Sequence, residues 1–247
     1  MRAEKGKSKR GRVSAAAAAL AGILAVVLVG ACGGERDPEA PPADSAAVET
    51  FTFFDIGRNT RYSESVREKL AEKLGNDAFE PRSIVNLETY YAGFLETHLP
   101  ELAELNRGLN DPPGERVDHA VVKLMYRYAR KRNVPFDYIE VVFNETSRRP
   151  ALIRTRFKSD EAGTLDALRE KYGAPREIPW EVDEGRSLVW HKGGDLLVAS
   201  LVPNQFGRIE YRVDIFFTEN LAEMVAAEQR RKAQNARQRS RAVQDVF

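Results

Sequence analysis

From Ile209 to Phe217 the chain alternates: Ile209, Tyr211, Val213, Ile215 and Phe217 fall on one side, Glu210, Arg212 and Asp214 on the other. A repeat of two residues is the signature of a strand with one buried face, and it recurs. Leu152–Lys158 sets Ile153, Thr155 and Phe157 against Arg154, Arg156 and Lys158, and Tyr138–Phe143 is rich in β-branched and aromatic residues. Gly193-Gly194 stands between the runs Ser187–Lys192 and Asp195–Val202. Paired glycines supply the positive φ angles that a tight hairpin demands. The sheet is therefore expected to be largely antiparallel. One short helix interrupts it, starting at Asp160, showing Leu165 and Leu168, and ending at Gly173 before Pro175.

The first half carries a different period. Ser65 and Glu68 form a capping box ahead of Val66, Leu70 and Leu74, and Gly75 closes that helix. A second helix is expected from Ser83, with Ile84, Leu87, Tyr91, Phe94 and Leu95 at helical spacing. A third opens at Pro100 with Leu102, Leu105 and Leu109, and a fourth spans Val117–Arg132 with Val117, Val121, Leu124 and Tyr128 inward. Phe51-Thr52-Phe53-Phe54 reads as a short strand or an apolar plug. The fold class is accordingly α+β: an N-terminal helical half (51–133) packed with a largely antiparallel sheet (134–217) in ββαβββ order, then a C-terminal helix from about Glu219. Residues 51–225 are read as one domain and 226–247 as a basic, partly frayed helix.

Ahead of the body lies an export signal. Arg2, Lys5, Lys7, Lys9, Arg10 and Arg12 against Glu4 make the start +5, and Val13–Ala31 contains no charge. A positive flank stays in the cytoplasm while the apolar run enters the bilayer. The run is also nearly long enough to span a membrane as an uncleaved anchor. Gly33–Thr50, small, polar and holding Pro38, Pro41 and Pro42, reads as a tether with a reach of roughly 25 Å.

Val29-Gly30-Ala31-Cys32 resembles the lipobox of bacterial lipoprotein precursors: an apolar residue, two small ones, and then the only cysteine in the chain. The resemblance covers the first 32 residues and departs from the commonest pattern at Val29, where leucine is usual. It implies cleavage after Ala31 (signal peptide 1–31, lipidated tether 32–50), acylation of Cys32, and membrane attachment through the acyl chains. Gly33, rather than aspartate, implies sorting to the outer membrane, facing the periplasm or the cell exterior.

The total formal charge of +1 conceals a division. Residues 228–247 hold Arg230, Arg231, Lys232, Arg237, Arg239 and Arg241 against Glu228 and Asp245, which leaves the middle of the chain at about −8. That distribution is not the footprint of a nucleic-acid binder. The three histidines, His98, His119 and His191, do not cluster in sequence. No metal-binding, phosphate-cradling or nucleophile motif occurs, so no catalytic residue, metal ligand or cofactor is assigned. A single cysteine excludes an internal disulfide.

Two segments stand out as candidate sites. Pro203, Asn204, Gln205 and Phe206 sit in a loop between two strong strands, where a tighter turn would serve. Glu228–Arg241 has nothing apolar larger than Ala233 and Ala236, so as a helix it forms a cationic arm not held by core packing. The sequence is read as a non-catalytic binding, scaffold or assembly module. Its candidate partners are an envelope protein, anionic lipid or cell-wall polymer. The competing readings are an anchored hydrolase or other envelope enzyme, and a small-ligand carrier, which needs an apolar cavity between helices and sheet.

Overall fold

The computed structural model describes residues 50–244 apart from 90–91, 130–132, 161–162, 181–184, 204–205 and 207. The elements run α1 (Glu64–Leu74), β1 (Ala78–Ser83), α2 (Phe94–His98), α3 (Pro100–Leu109), β2 (His119–Tyr126), β3 (Tyr138–Asn144), β4 (Pro150–Phe157), α4 (Thr164–Tyr172), β5 (Arg176–Pro179), β6 (Arg186–Lys192), β7 (Asp195–Pro203), β8 (Ile209–Phe216) and α5 (Thr218–Gln244). The fold is mixed α+β, and the strands form one sheet in the order β1-β2-β3-β4-β8-β7-β6-β5, antiparallel throughout. At the β6–β7 turn Gly193 and Gly194 adopt φ of 57° and 85°, the two positive values that a tight hairpin needs.

The expected helical N-terminal half is corrected: two of the eight strands lie there. His119–Tyr126 is β2, inside the stretch read as a fourth helix. Val121 packs on one sheet face while Val122, Leu124 and Tyr126 pack on the other. A strand buried on both faces is a nearly continuous apolar run, so its spacing matches a helix as readily as a strand. The expected helix from Ser83 is corrected as well. Residues 84–89 form no helix, and their burial alternates by two, with Val85 and Leu87 buried and Ile84, Asn86 and Glu88 exposed. The Asn106 carboxamide oxygen accepts from the Leu87 N–H at 2.9 Å, and the Asn110 side-chain amide donates to the Val85 carbonyl at 3.1 Å. One amide of α3 and the amide at its C-cap thus satisfy backbone that no strand pairs.

The remaining order from 134 onward is ββαββββ, because β5 adds a strand to the ββαβββ expectation. Both sheet edges are short and carry proline. Pro81 in β1 coincides with a register shift between Glu80 and Arg82, and Pro179 ends the four-residue β5. Proline at an edge removes a donor that another strand would otherwise capture. The cap of α1 is Ser63 rather than Ser65, its Oγ accepting from the Val66 N–H at 3.3 Å.

Two cores fill the two sheet faces. One packs Leu70 and Leu74 of α1, Leu165 of α4 and the buried plug Phe51 against Val141, Ile153, Leu197 and Ile215. The other packs Phe94, Leu95, Leu102 and Leu109 of α2 and α3 with Leu221 and Met224 of α5 against Val142, Leu152, Val198 and Phe216. Each such side chain contributes roughly 1.5–3 kcal/mol relative to its exposed state. The helix α5 is seated by this second core through its first turns only.

Candidate functional site

The seat of α5 is built around Asp195, the first residue of β7 and fully buried. One carboxylate oxygen receives the Arg58 guanidinium, Nε at 2.9 Å, and the Thr50 hydroxyl at 2.5 Å; the other accepts from the Thr218 N–H at 3.1 Å. A carboxylate at the start of a helix satisfies an otherwise open N–H and opposes the helix dipole. Asn220 adds two bonds, its amide donating to the carbonyls of Arg58 (2.9 Å) and Pro150 (2.7 Å). Sequence reading missed Asp195, because its partners come from distant segments.

From Leu221 onward the buried residues of α5 follow one stripe: Leu221, Met224 and Glu228, with Val225 half-buried beside them. Glu228 is the last buried residue among those described and holds Arg231 at 2.8 Å. Beyond it, every position whose side chain is described is exposed except Lys232, which is half-buried and donates to the Asp111 carboxylate at 2.8 Å. Residues 229–244 contain Arg230, Arg231, Lys232, Arg237, Arg239 and Arg241 and no acid. Arg230, Arg237, Arg239 and Arg241 make no ion pair among the described residues. At about 100° per residue, Arg230, Arg237 and Arg241 lie within roughly 20° of one line, on the side opposite Leu221 and Glu228. The arm therefore presents an outward stripe of three arginines.

Between α3 and α5 runs an open groove of about 900 Å³. Its floor is Leu105, Gly108, Ala222, Val225 and Ala226, and Glu101, Glu104, Arg107, Glu219 and Lys232 stand along its rim. The helices approach closely at Gly108, where a Cβ would meet Val225 Cγ1 at 2.7 Å.

The second candidate segment is only partly described, since Asn204 and Gln205 lie outside the described residues. Pro203 ends β7 opposite Ile209, and Phe206 is 77% exposed. Cys32 and the tether 33–49 also lie outside. Among the described residues no helix is long and apolar enough to cross a membrane.

The tryptophans resolve into packing. Trp180 and Trp190 are both buried, their indole N–H groups bonded to Ser187 Oγ (3.0 Å) and the Gly173 carbonyl (2.8 Å). Phe94 is core, and Tyr90 and Tyr91 lie outside the described residues. His98 and His191, distant in sequence, line one pocket of about 380 Å³ with Arg176, whereas His119 is buried elsewhere. No group of three or more metal-ligating side chains occurs among the described residues.

The buried carboxylates are held by cations or helix ends. On the sheet face under α3, Lys123 approaches Glu140 at 3.4 Å, and Arg154 and Arg212 grip Asp214 at 2.9 Å and 2.6 Å. The Tyr138 hydroxyl donates to Glu140 at 2.7 Å, and burial, reinforced by that carboxylate, pushes its pKa up. Arg154 and Arg212 also reach the carbonyls of Asn86 and Glu88. Such a paired network fixes register across β2, β3, β4 and β8. An apolar cavity between α4 and the sheet, lined by Phe53, Phe136, Leu168 and Ile215, holds about 60 Å³, far below the roughly 300 Å³ at which ligand sites begin.

No protein-family model matches this chain, and no curated protein or solved structure was found to be similar to it.

Proposed function

We propose that this chain is an exported bacterial envelope lipoprotein, anchored through acyl chains on Cys32, whose body presents α5 as a cationic arm to an anionic membrane surface. The anchoring part of this reading rests on the basic flank, the uncharged run Val13–Ala31 and the lipobox-like Val29–Cys32. The binding part is carried by one observation: past Glu228, α5 continues to Gln244 with six bases and no acid, four of those bases free of ion pairs among the described residues. Each base near an anionic lipid surface contributes about 1 kcal/mol, whereas a solvated helix face needs no such one-sided charge.

The anchor is tested by Cys32→Ala. Its envelope form should leave the membrane fraction or accumulate unprocessed; retention at the normal mature mass sinks the lipidation reading. The arm is tested by removing residues 229–247 from the chain beginning at residue 46, which lacks the acyl anchor. The body should keep its stability within about 1 kcal/mol, since none of the described residues removed is buried, and should lose attachment to phosphatidylglycerol vesicles. Attachment that survives truncation transfers the binding role to the Pro203–Phe206 loop or the α3–α5 groove.

A further inference from the structure

A polar concavity of about 560 Å³ lies beside the β3–β4 turn, lined by Asn59, Arg61, Thr146, Ser147 and Arg149. Every lining side chain carries a hydrogen-bond donor, and none is acidic. We propose that this concavity is a binding site for a phosphate group, either the free ion or a phosphomonoester headgroup.

The turn that builds it is braced from both sides. The Asn144 carboxamide oxygen accepts from the N–H of Thr146 (2.8 Å) and of Ser147 (3.4 Å), and the Arg148 N–H donates to the Asn144 carbonyl at 2.9 Å. The passing segment is pinned by the Tyr62 N–H donating to the Arg148 carbonyl at 2.7 Å, with the Arg148 guanidinium lying 4.6 Å from the centre of the Tyr62 ring. Arg61 and Ser147 are thereby held at one place by backbone rather than by each other. Rigid placement lowers the ordering cost of binding.

The donors there are not saturated. Ser147 Oγ is out of contact with solvent and has no hydrogen-bond partner, a costly state for a hydroxyl. Arg61 is exposed and makes no ion pair among the described residues. Arg149 is paired with Glu223 of α5, which leaves the far edge of its planar guanidinium for a second acceptor. Glu223 is engaged by Arg149, and Glu145 is exposed in the turn; neither lines the concavity. Two guanidinium groups, two hydroxyls and an amide exceed what the two oxygens of a carboxylate can accept. A phosphate, with three or four acceptor oxygens and up to two charges, matches them. The site is separate from the α5 arm and stands or falls independently of it.

The test is calorimetric titration of inorganic phosphate and of glycerol 3-phosphate into the full-length protein in detergent, against chloride at matched ionic strength. Both Arg61→Gln and Ser147→Ala are compared with Arg237→Gln, which removes a charge from the arm. Saturable binding weakened about tenfold or more by Arg61→Gln, weakened severalfold by Ser147→Ala and unchanged by Arg237→Gln establishes the site. Tighter binding of glycerol 3-phosphate assigns it to a headgroup, and tighter binding of phosphate assigns it to the free ion. Absence of saturable heat, or affinity indifferent to Arg61→Gln, overturns the proposal.

Discussion

Asp195 and Arg58, 137 positions apart, meet in a buried ion pair, with Arg58 Nε at 2.9 Å and Nη2 at 2.8 Å from one carboxylate oxygen. The same carboxylate caps α5 at Thr218, so one side chain joins the N-terminal segment, the β6–β7 hairpin and the terminal helix. Removing one partner of a buried pair leaves the other charge without compensation, at roughly 3–5 kcal/mol. Asp195→Ala should therefore lower stability by about that amount in urea unfolding. Lys232→Ala, which breaks only the exposed pair with Asp111, should cost no more than about 1 kcal/mol. Equal effects would remove Asp195 from its place as the keystone of α5.

Gly108 is needed for the α3–α5 approach. A Cβ there stands 2.7 Å from Val225 Cγ1, closer than packed atoms tolerate. Alanine gains about 1 kcal/mol of helix propensity over glycine, while overpacking costs roughly 1–3 kcal/mol, so Gly108→Ala should be neutral to destabilising by about 2 kcal/mol. Adding Val225→Ala makes room, and the double variant should be more stable than the sum of the single effects. Strict additivity would show that the helices are not in contact there.

His119 gives the body a pH dependence of defined sign. It is buried, with Nε2 2.9 Å from the Leu109 carbonyl, to which it donates when neutral. Burial lowers its pKa below the ordinary 6.5, opposed by the Leu109 bond and by Glu228. The unfolded chain then takes up the proton first as pH falls, so stability declines from about pH 6.5 downward and levels off below the folded-state pKa. Relative to wild type, His119→Gln should lose this decline while matching the slope above pH 7. A wild-type protein that gains stability from this residue on acidification would reverse the assignment.

Strands β4 and β8 were legible because apolar residues alternate with polar ones, β3 because β-branched and aromatic residues crowd it, and β6 and β7 because the Gly193-Gly194 turn between them takes both positive φ values readily; the four-residue β5 was not legible. Strand β2 was not, since burial on both faces erases alternation. The signal within it was the β-branched pair Val121-Val122 in a run of eight residues, too short for a firm helix. The segment 84–89 misled through Leu87, whose spacing from Phe94 suits a helix, although Val85 and Leu87 already alternate. Of the candidate sites, the basic arm was visible from composition alone. The Asp195 seat and the Arg61–Ser147 concavity were not, because their members are brought together by turns and long-range pairing that no local period encodes.

The outward stripe on α5 is tested most directly by binding of the chain beginning at residue 46 to phosphatidylglycerol vesicles, measured by co-sedimentation over a range of salt. Replacing Arg230, Arg237 and Arg241 together by glutamine should weaken binding roughly a hundredfold, from about 1 kcal/mol per base, and flatten its salt dependence. Replacing Lys232 and Arg239, which lie on the side of the helix that faces the body, should weaken it less than tenfold. Equal losses from the two sets, or no loss from the first, would contradict the account.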